Sequence, residues 1–157
     1  MIRTASLLFL GAVLAIGQQQ DHQAMVNEHG DRVMGFSHEK TTHHFELNRD
    51  GGVIDVRADD VKDTASRDQI RSHFHHIVQM FADGNFNAPM LVHSRSDVPG
   101  TVTMKRLKDQ IHWSLSETPR GARIDIAADN RDSLAAVHEF LRFQIADHKT
   151  GDCTSVR

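Results

Sequence analysis

Twelve histidines in a chain of 157 residues, roughly three times the usual share, are the side chains whose chemistry stands out. Imidazole is the commonest protein ligand for zinc, copper and haem iron. His43 continues the inward face of a strand that begins at Thr42. His73 lies on the flank of the apolar stripe of a first helix, and His138 lies within the stripe of a second. His148 joins that face if the second helix persists to its last turn. Three inward imidazoles beneath one sheet, with His148 as a fourth, would form an open metal site for copper, zinc or non-covalent haem. The plainer alternative is that each is a hydrogen-bonded core or boundary histidine.

Two weaker groupings carry related chemistry. His73 and His76, three apart on one helix, have chelating spacing, although no His-Glu-x-x-His motif accompanies them. The stretch before the first strand holds His22, Met25, His29, Met34 and His38 among polar residues. Thioether with imidazole suits copper, Cu(I) above all. Catalytic signatures are missing: there is no Cys-x-x-Cys-His, no Gly-x-Ser-x-Gly, no P-loop and no dinucleotide fingerprint. Glu46 and Asp55 face outward on paired strands, where carboxylates serve solubility. His138-Glu139 with Asp147 has no partnered nucleophile. Binding is therefore expected more than catalysis.

The elements that must position these residues repeat. His43, Phe45 and Leu47 alternate with His44 and Glu46, the period of a half-buried strand. Asp50-Gly51 is a hairpin signal, and Ile54, Val56 and Ala58 alternate after it. With Asp50-Gly51 as the turn, Leu47 pairs with Ile54, Phe45 with Val56 and His43 with Ala58. Asp63, Thr64 and Ser66 cap a helix whose stripe is Ile70, Phe74, Ile77, Val78 and Phe81, ended by Asp83-Gly84. Residues 85–109 read as a linker, mostly loop, with a short strand at Met90-Leu91-Val92 and a short helix over 101–109. The pattern then returns: Ile111, Trp113 and Leu115, a turn at Thr118-Pro119-Arg120-Gly121, and Ile124, Ile126 and Ala128. A second helix follows with Leu134, Val137, Leu141 and Ile145 inward. The expected fold is α+β: two ββα halves (42–84 and 110–151) forming a four-stranded antiparallel sheet with both helices on one face. Residues 41–152 make one domain, 18–40 a loosely structured arm, and 153–157 a tail.

On this helical pattern Phe140 and Phe143 fall away from the buried stripe. Two outward phenylalanines call for a cover, which a homodimer or protein partner would supply, or else the arm or the linker folded back. That makes a noncatalytic interaction module the alternative to a ligand-binding domain.

The N-terminus reads as an export signal. Arg3 precedes the apolar run Ala5 to Ile16, and Ala15 and Gly17 place small residues before a cleavage point at Gln18. The run is shorter than the roughly 20 residues of a spanning helix, so no membrane span is expected after cleavage and the domain is expected in the periplasm or outside the cell. Eighteen basic against 21 acidic residues, without basic blocks, argue against nucleic acid as a partner. Cys153 is the only cysteine, so no internal disulfide can form.

The strings Met34-Gly35-Phe36, Lys40-Thr41-Thr42-His43-His44-Phe45, Asp50-Gly51-Gly52, His138-Glu139-Phe140-Leu141-Arg142-Phe143-Gln144-Ile145 and Asp147-His148-Lys149-Thr150-Gly151-Asp152 resemble a family of small exported bacterial proteins. The resemblance covers about Met25 to Asp152 and implies export without implying a mechanism. Similar sequences sometimes carry the label aspartate carbamoyltransferase, which this chain does not support. It has no Ser-Thr-Arg-Thr-Arg-like carbamoyl-phosphate loop, His93-Ser94-Arg95-Ser96 being the nearest fragment, and it is too short for two α/β domains.

Overall fold

A computed structural model describes the backbone of residues 8–157 and the side chains from residue 20 onward. The first seven residues, with the start of the expected export signal, lie outside the described residues. Two hairpins dominate the architecture. Strands β1 (Thr41–Asn48) and β2 (Gly51–Ala58) form the first, and β3 (Ile111–Thr118) and β4 (Gly121–Ala128) the second. They join through their second strands into one antiparallel sheet of order β1-β2-β4-β3. Alternation puts Phe45, Leu47, Ile54, Val56, Ile124 and Ile126 on the inner face, all buried.

Helices α2 (Thr64–Ala82) and α5 (Arg131–Asp147) cover that face. The Asp63 side chain caps α2 by accepting from the Ser66 N–H, and Asn130 caps α5 with a reciprocal bond to Ser133. Each helix packs chiefly across the hairpin of the other half: α2 over β3 and β4, α5 over β1 and β2. The two ββα units therefore interlock into one core, and residues of both halves meet in its middle.

The first hairpin is registered two residues from the expectation. His43 pairs with Val56, Phe45 with Ile54 and Leu47 with Gly52, leaving Arg49-Asp50 as the turn. A two-residue shift keeps every side chain on its expected face. The reason lies at Gly51, which serves close approach and not positive φ. A Cβ there would stand 1.8 Å from the Ile126 carbonyl oxygen of β4, so Gly51 belongs inside the sheet.

The linker is more ordered than its sequence suggests. It contains α3 (Asn87–Val92) where a strand at Met90-Leu91-Val92 was expected, then α4 (Thr101–Arg106) and a 3-10 turn at Lys108–Gln110. Six residues bounded by Phe86 and His93 are too few for periodicity to distinguish strand from helix. Gly100, at φ +83°, brings α4 against the backbone of Ala136 and Phe140 in α5. Phe140 is consequently 2% exposed. It packs edge-on to Phe81 at 6.0 Å and beside Phe86 at 6.3 Å between ring centroids. The outward position expected for Phe140 is thus corrected: the linker covers it. Phe143 is partly buried against the same core.

The arm is also corrected. Residues Leu8–Met34 form one helix, α1, which runs past the expected cleavage point and packs on α3. Val26 of α1 is fully buried. Phe36 joins the core at its C-terminal end. No helix among the described residues is long and apolar enough to cross a membrane. At the other terminus, the chain returns along β1. The Phe45 N–H donates to Asp152 (2.9 Å) and the Arg157 N–H to the Leu47 carbonyl (2.9 Å).

Candidate functional site

Between the inner face of the sheet and helices α1, α2, α3 and α5 lies a cavity of about 70 Å³. Its walls are mainly aliphatic and aromatic, including Phe45, Val56, Phe74, Ile124 and Phe140. Four histidines interrupt them: His43 from β1, His73 from α2, His93 from the end of α3 and His148 from the end of α5. Sequence reasoning placed three of these together and missed the fourth.

His43 and His148 stack almost parallel, with ring centroids 5.5 Å apart and planes at 7°. His93 stands edge-on to His148 at 4.9 Å. Phe36 separates His43 from His73, with centroids 5.8 and 5.7 Å from the two imidazoles. Burial, reinforced by neighbouring histidines, lowers His43 and His73 to pKa values of about 4. Burial and the proximity of His43 and His93 lower His148 to about 3, against an opposing pull from Asp147. All three are neutral at pH 7.

A polar chain runs from the surface to the cavity wall. His22 Nε2 lies 3.0 Å from Asp147 Oδ1, and Asp147 Oδ2 lies 2.5 Å from His93 Nδ1. His93 Nε2 then faces Gln144 Oε1 at 3.1 Å. Burial alone would raise Asp147, but the hydrogen bonds from His22 and His93 outweigh it and hold the carboxyl below its ordinary value. His93 is 1% exposed, so its ring is fixed at both nitrogens. Beyond this chain two polar atoms of the cavity wall are left over. Asp147 accepts the Nδ1–H of His93, so the Gln144 amide turned by half a revolution donates to His93 Nε2, and its oxygen, with His43 Nε2, is shielded from solvent without a hydrogen-bond partner. A buried polar group in that condition costs about 1–3 kcal/mol.

His138 is elsewhere. It is buried on α5, and its Nε2–H donates to the Asn48 carbonyl at 2.8 Å and the Gly51 carbonyl at 3.0 Å. It clasps the turn end of the first hairpin and does not line the cavity. Replacing it with leucine strands two carbonyls, so His138→Leu is expected to lose about 1–3 kcal/mol. Chemical denaturation would measure that loss.

The other sequence candidates are dispersed. His76 is exposed on α2 while His73 points inward. His22 and His29 sit seven residues apart on α1, about 10 Å along its axis. His22 is held by Asp147 and His29 by the Ser94 hydroxyl at 2.7 Å; Met25 is exposed. Among the described residues, no group of three or more His, Cys, Asp or Glu side chains is arranged to hold a metal ion. The cavity itself is far too small for a porphyrin.

His93 escaped the sequence reading because it closes a six-residue helix in an aperiodic segment. No sequence signal marks it: the left-handed backbone of Ser94, at φ +50°, is visible only in the structure. The sequence matches no family model, and no curated protein or solved structure is significantly similar to it.

Proposed function

We propose that this is an exported binding domain that takes one small, mainly apolar ligand in the cavity beneath its sheet, and that the imidazole and amide groups there orient it. The observation that carries this reading is the pair of unpartnered polar atoms, His43 Nε2 and the free oxygen of the Gln144 amide, in the wall of an otherwise apolar cavity. Small-molecule sites have this composition: apolar walls with few, precisely placed polar groups. A ligand carrying one hydrogen-bonding group would restore the missing partners, which neither atom finds within the protein. The apolar N-terminal run ahead of Gln18 supports placing the domain outside the cytoplasm.

A small organic ligand fits better than a metal. His93 is already bonded at both ring nitrogens and His138 is tied to the hairpin, which leaves too few free imidazoles for a metal. An interaction module loses its anchor with the burial of Phe140.

Titration with phenol as a neutral probe, followed by the side-chain amide resonances of Gln144, tests the reading. Saturation at a single site with a shift of those resonances is expected. Ala88→Leu, which fills the cavity from α3, is expected to weaken binding at least tenfold. If phenol fails to saturate, or the Gln144 amide is unmoved, the reading is wrong. Binding of Zn²⁺ or Cu²⁺ tighter than micromolar that is lost in His43→Phe/His148→Phe would replace it with a metal site.

A further inference from the structure

A second, larger hollow of about 320 Å³ adjoins the first, between α1, the start of β1 and the end of α5. Met34, His43 and His148 line both. Met34 and the stacked imidazoles thus stand where the inner apolar cavity and the outer polar chamber meet. We propose that the two spaces are one site for a short-chain monocarboxylate, its alkyl end in the inner cavity and its carboxylate in the outer chamber beside Lys149. This assignment rests on the inner cavity being a ligand site.

The outer chamber has the composition of an anion site. Its polar lining includes Gln23, Asn27, His38, Lys149 and Thr150, and no Asp or Glu lines it. Lys149, the one lysine or arginine of the lining, makes no ion pair among the described residues, and the lining His38 is paired with Asp31. The nearest α5 carboxylate, Asp147, is already bonded to His22 and His93. Lys149 adopts φ +52° directly after α5, so the reversal of the chain there presents residues 148, 149 and 150 to one space.

The chamber also has a loose end. Gln23 Oε1 is shielded and unpartnered, while Gln23 Nε2 donates to Asn27 Oδ1 at 3.0 Å. Turning both amides by half a revolution keeps that bond and presents the Gln23 NH₂ to the chamber instead. Gln144, 5% exposed and bonded to His93, stands at the inner end. A polar chamber with a single lysine, opening onto mainly apolar walls, describes a ligand with one negative charge and a short hydrocarbon body. The 70 Å³ of the inner cavity limits the length of that body.

Calorimetric titration at pH 7.5 with propanoate, butanoate, pentanoate and hexanoate, against the matching 1-alkanols and 1-alkylamines, tests the assignment. Carboxylates are expected to bind at one site, with affinity rising about fourfold per methylene until the inner cavity is full. Lys149→Met is expected to weaken butanoate about tenfold and leave 1-butanol within twofold; Lys149→Arg is expected to retain butanoate. Ala88→Leu is expected to weaken both classes. Equal binding of alkanols and carboxylates, unaffected by Lys149→Met, or tighter binding of amines, overturns the carboxylate assignment and leaves the cavity reading standing. If no member of any series binds, the cavity reading falls and this assignment with it.

Discussion

Between pH 7 and pH 5 the protein is expected to lose on the order of 5 kcal/mol of stability. His43, His73 and His148 have folded pKa values of about 4, 4 and 3, against about 6.5 for the unfolded chain. Above pH 6.5 neither state carries these protons and the three residues contribute nothing to the pH dependence. Below it, the unfolded chain takes up protons that the folded cavity refuses, so stability falls as pH falls. The decline continues to about pH 4 for His43 and His73, and to about pH 3 for His148. At pH 5 each histidine accounts for about 2 kcal/mol, on the order of 5 kcal/mol together. Total stabilities of ordinary domains are about 5–15 kcal/mol. Asp55 works the other way: burial raises its pKa, so its unfavourable contribution at neutral pH is relieved as pH drops towards that value. Urea unfolding at pH 7.5, 6 and 5 would trace the profile. A flat profile would sink the argument; His43→Phe/His148→Phe is expected to reduce its slope to about a third.

The second large effect is expected at Phe140. Its ring is the meeting point of the two interlocked halves and the linker, touching Phe81 of α2 and Phe86 ahead of α3. Phe140→Ala is expected to lower stability by about 3–5 kcal/mol, or roughly 6–20 °C in Tm for a chain of this size. The same substitution separates two uses of the residue. An outward phenylalanine at an interface would leave the thermal midpoint of a monomer nearly unchanged and alter its sedimentation. A buried one lowers the midpoint and leaves the monomer a monomer. Differential scanning calorimetry with sedimentation at one concentration decides between them.

The long periodic elements were legible in the sequence because period two and period 3.6 each persist over enough residues to be distinctive. Both hairpins, α2 and α5 follow from Phe45 through Ile145 on that basis, and the α+β layering follows from their inward faces. Three features were not. The register of the first hairpin depended on Gly51 meeting a strand 75 residues later, information that no local turn preference contains. Phe140 was misplaced because a helical wheel reveals one buried side, whereas α5 is covered on a second by α4 and the linker. The histidines divide in the same way. Periodicity correctly turned His43 and His73 inward, and His148 followed from the length of α5. It could not tell that His138 meets two backbone carbonyls, nor that His93 would be brought to the cavity by a short helix and a left-handed residue. An inward direction is a property of one element; a shared site is a property of several.

The run of chain along β1 has a consequence for assembly. A border strand offers unpaired backbone groups on which a strand from another molecule can dock. On β1 the Phe45 amide and the Leu47 carbonyl are already taken by Asp152 and Arg157, with Arg157 also reaching Glu46. The two borders of the sheet are therefore chemically unequal. Extension of this sheet by a foreign strand, whether in regulated association or in aggregation, must displace residues 152–157 on the β1 side or begin at β3. Because His44 also bonds to Asp152, that border is tied to a residue lying between His43 and Phe45, both of which line the cavity.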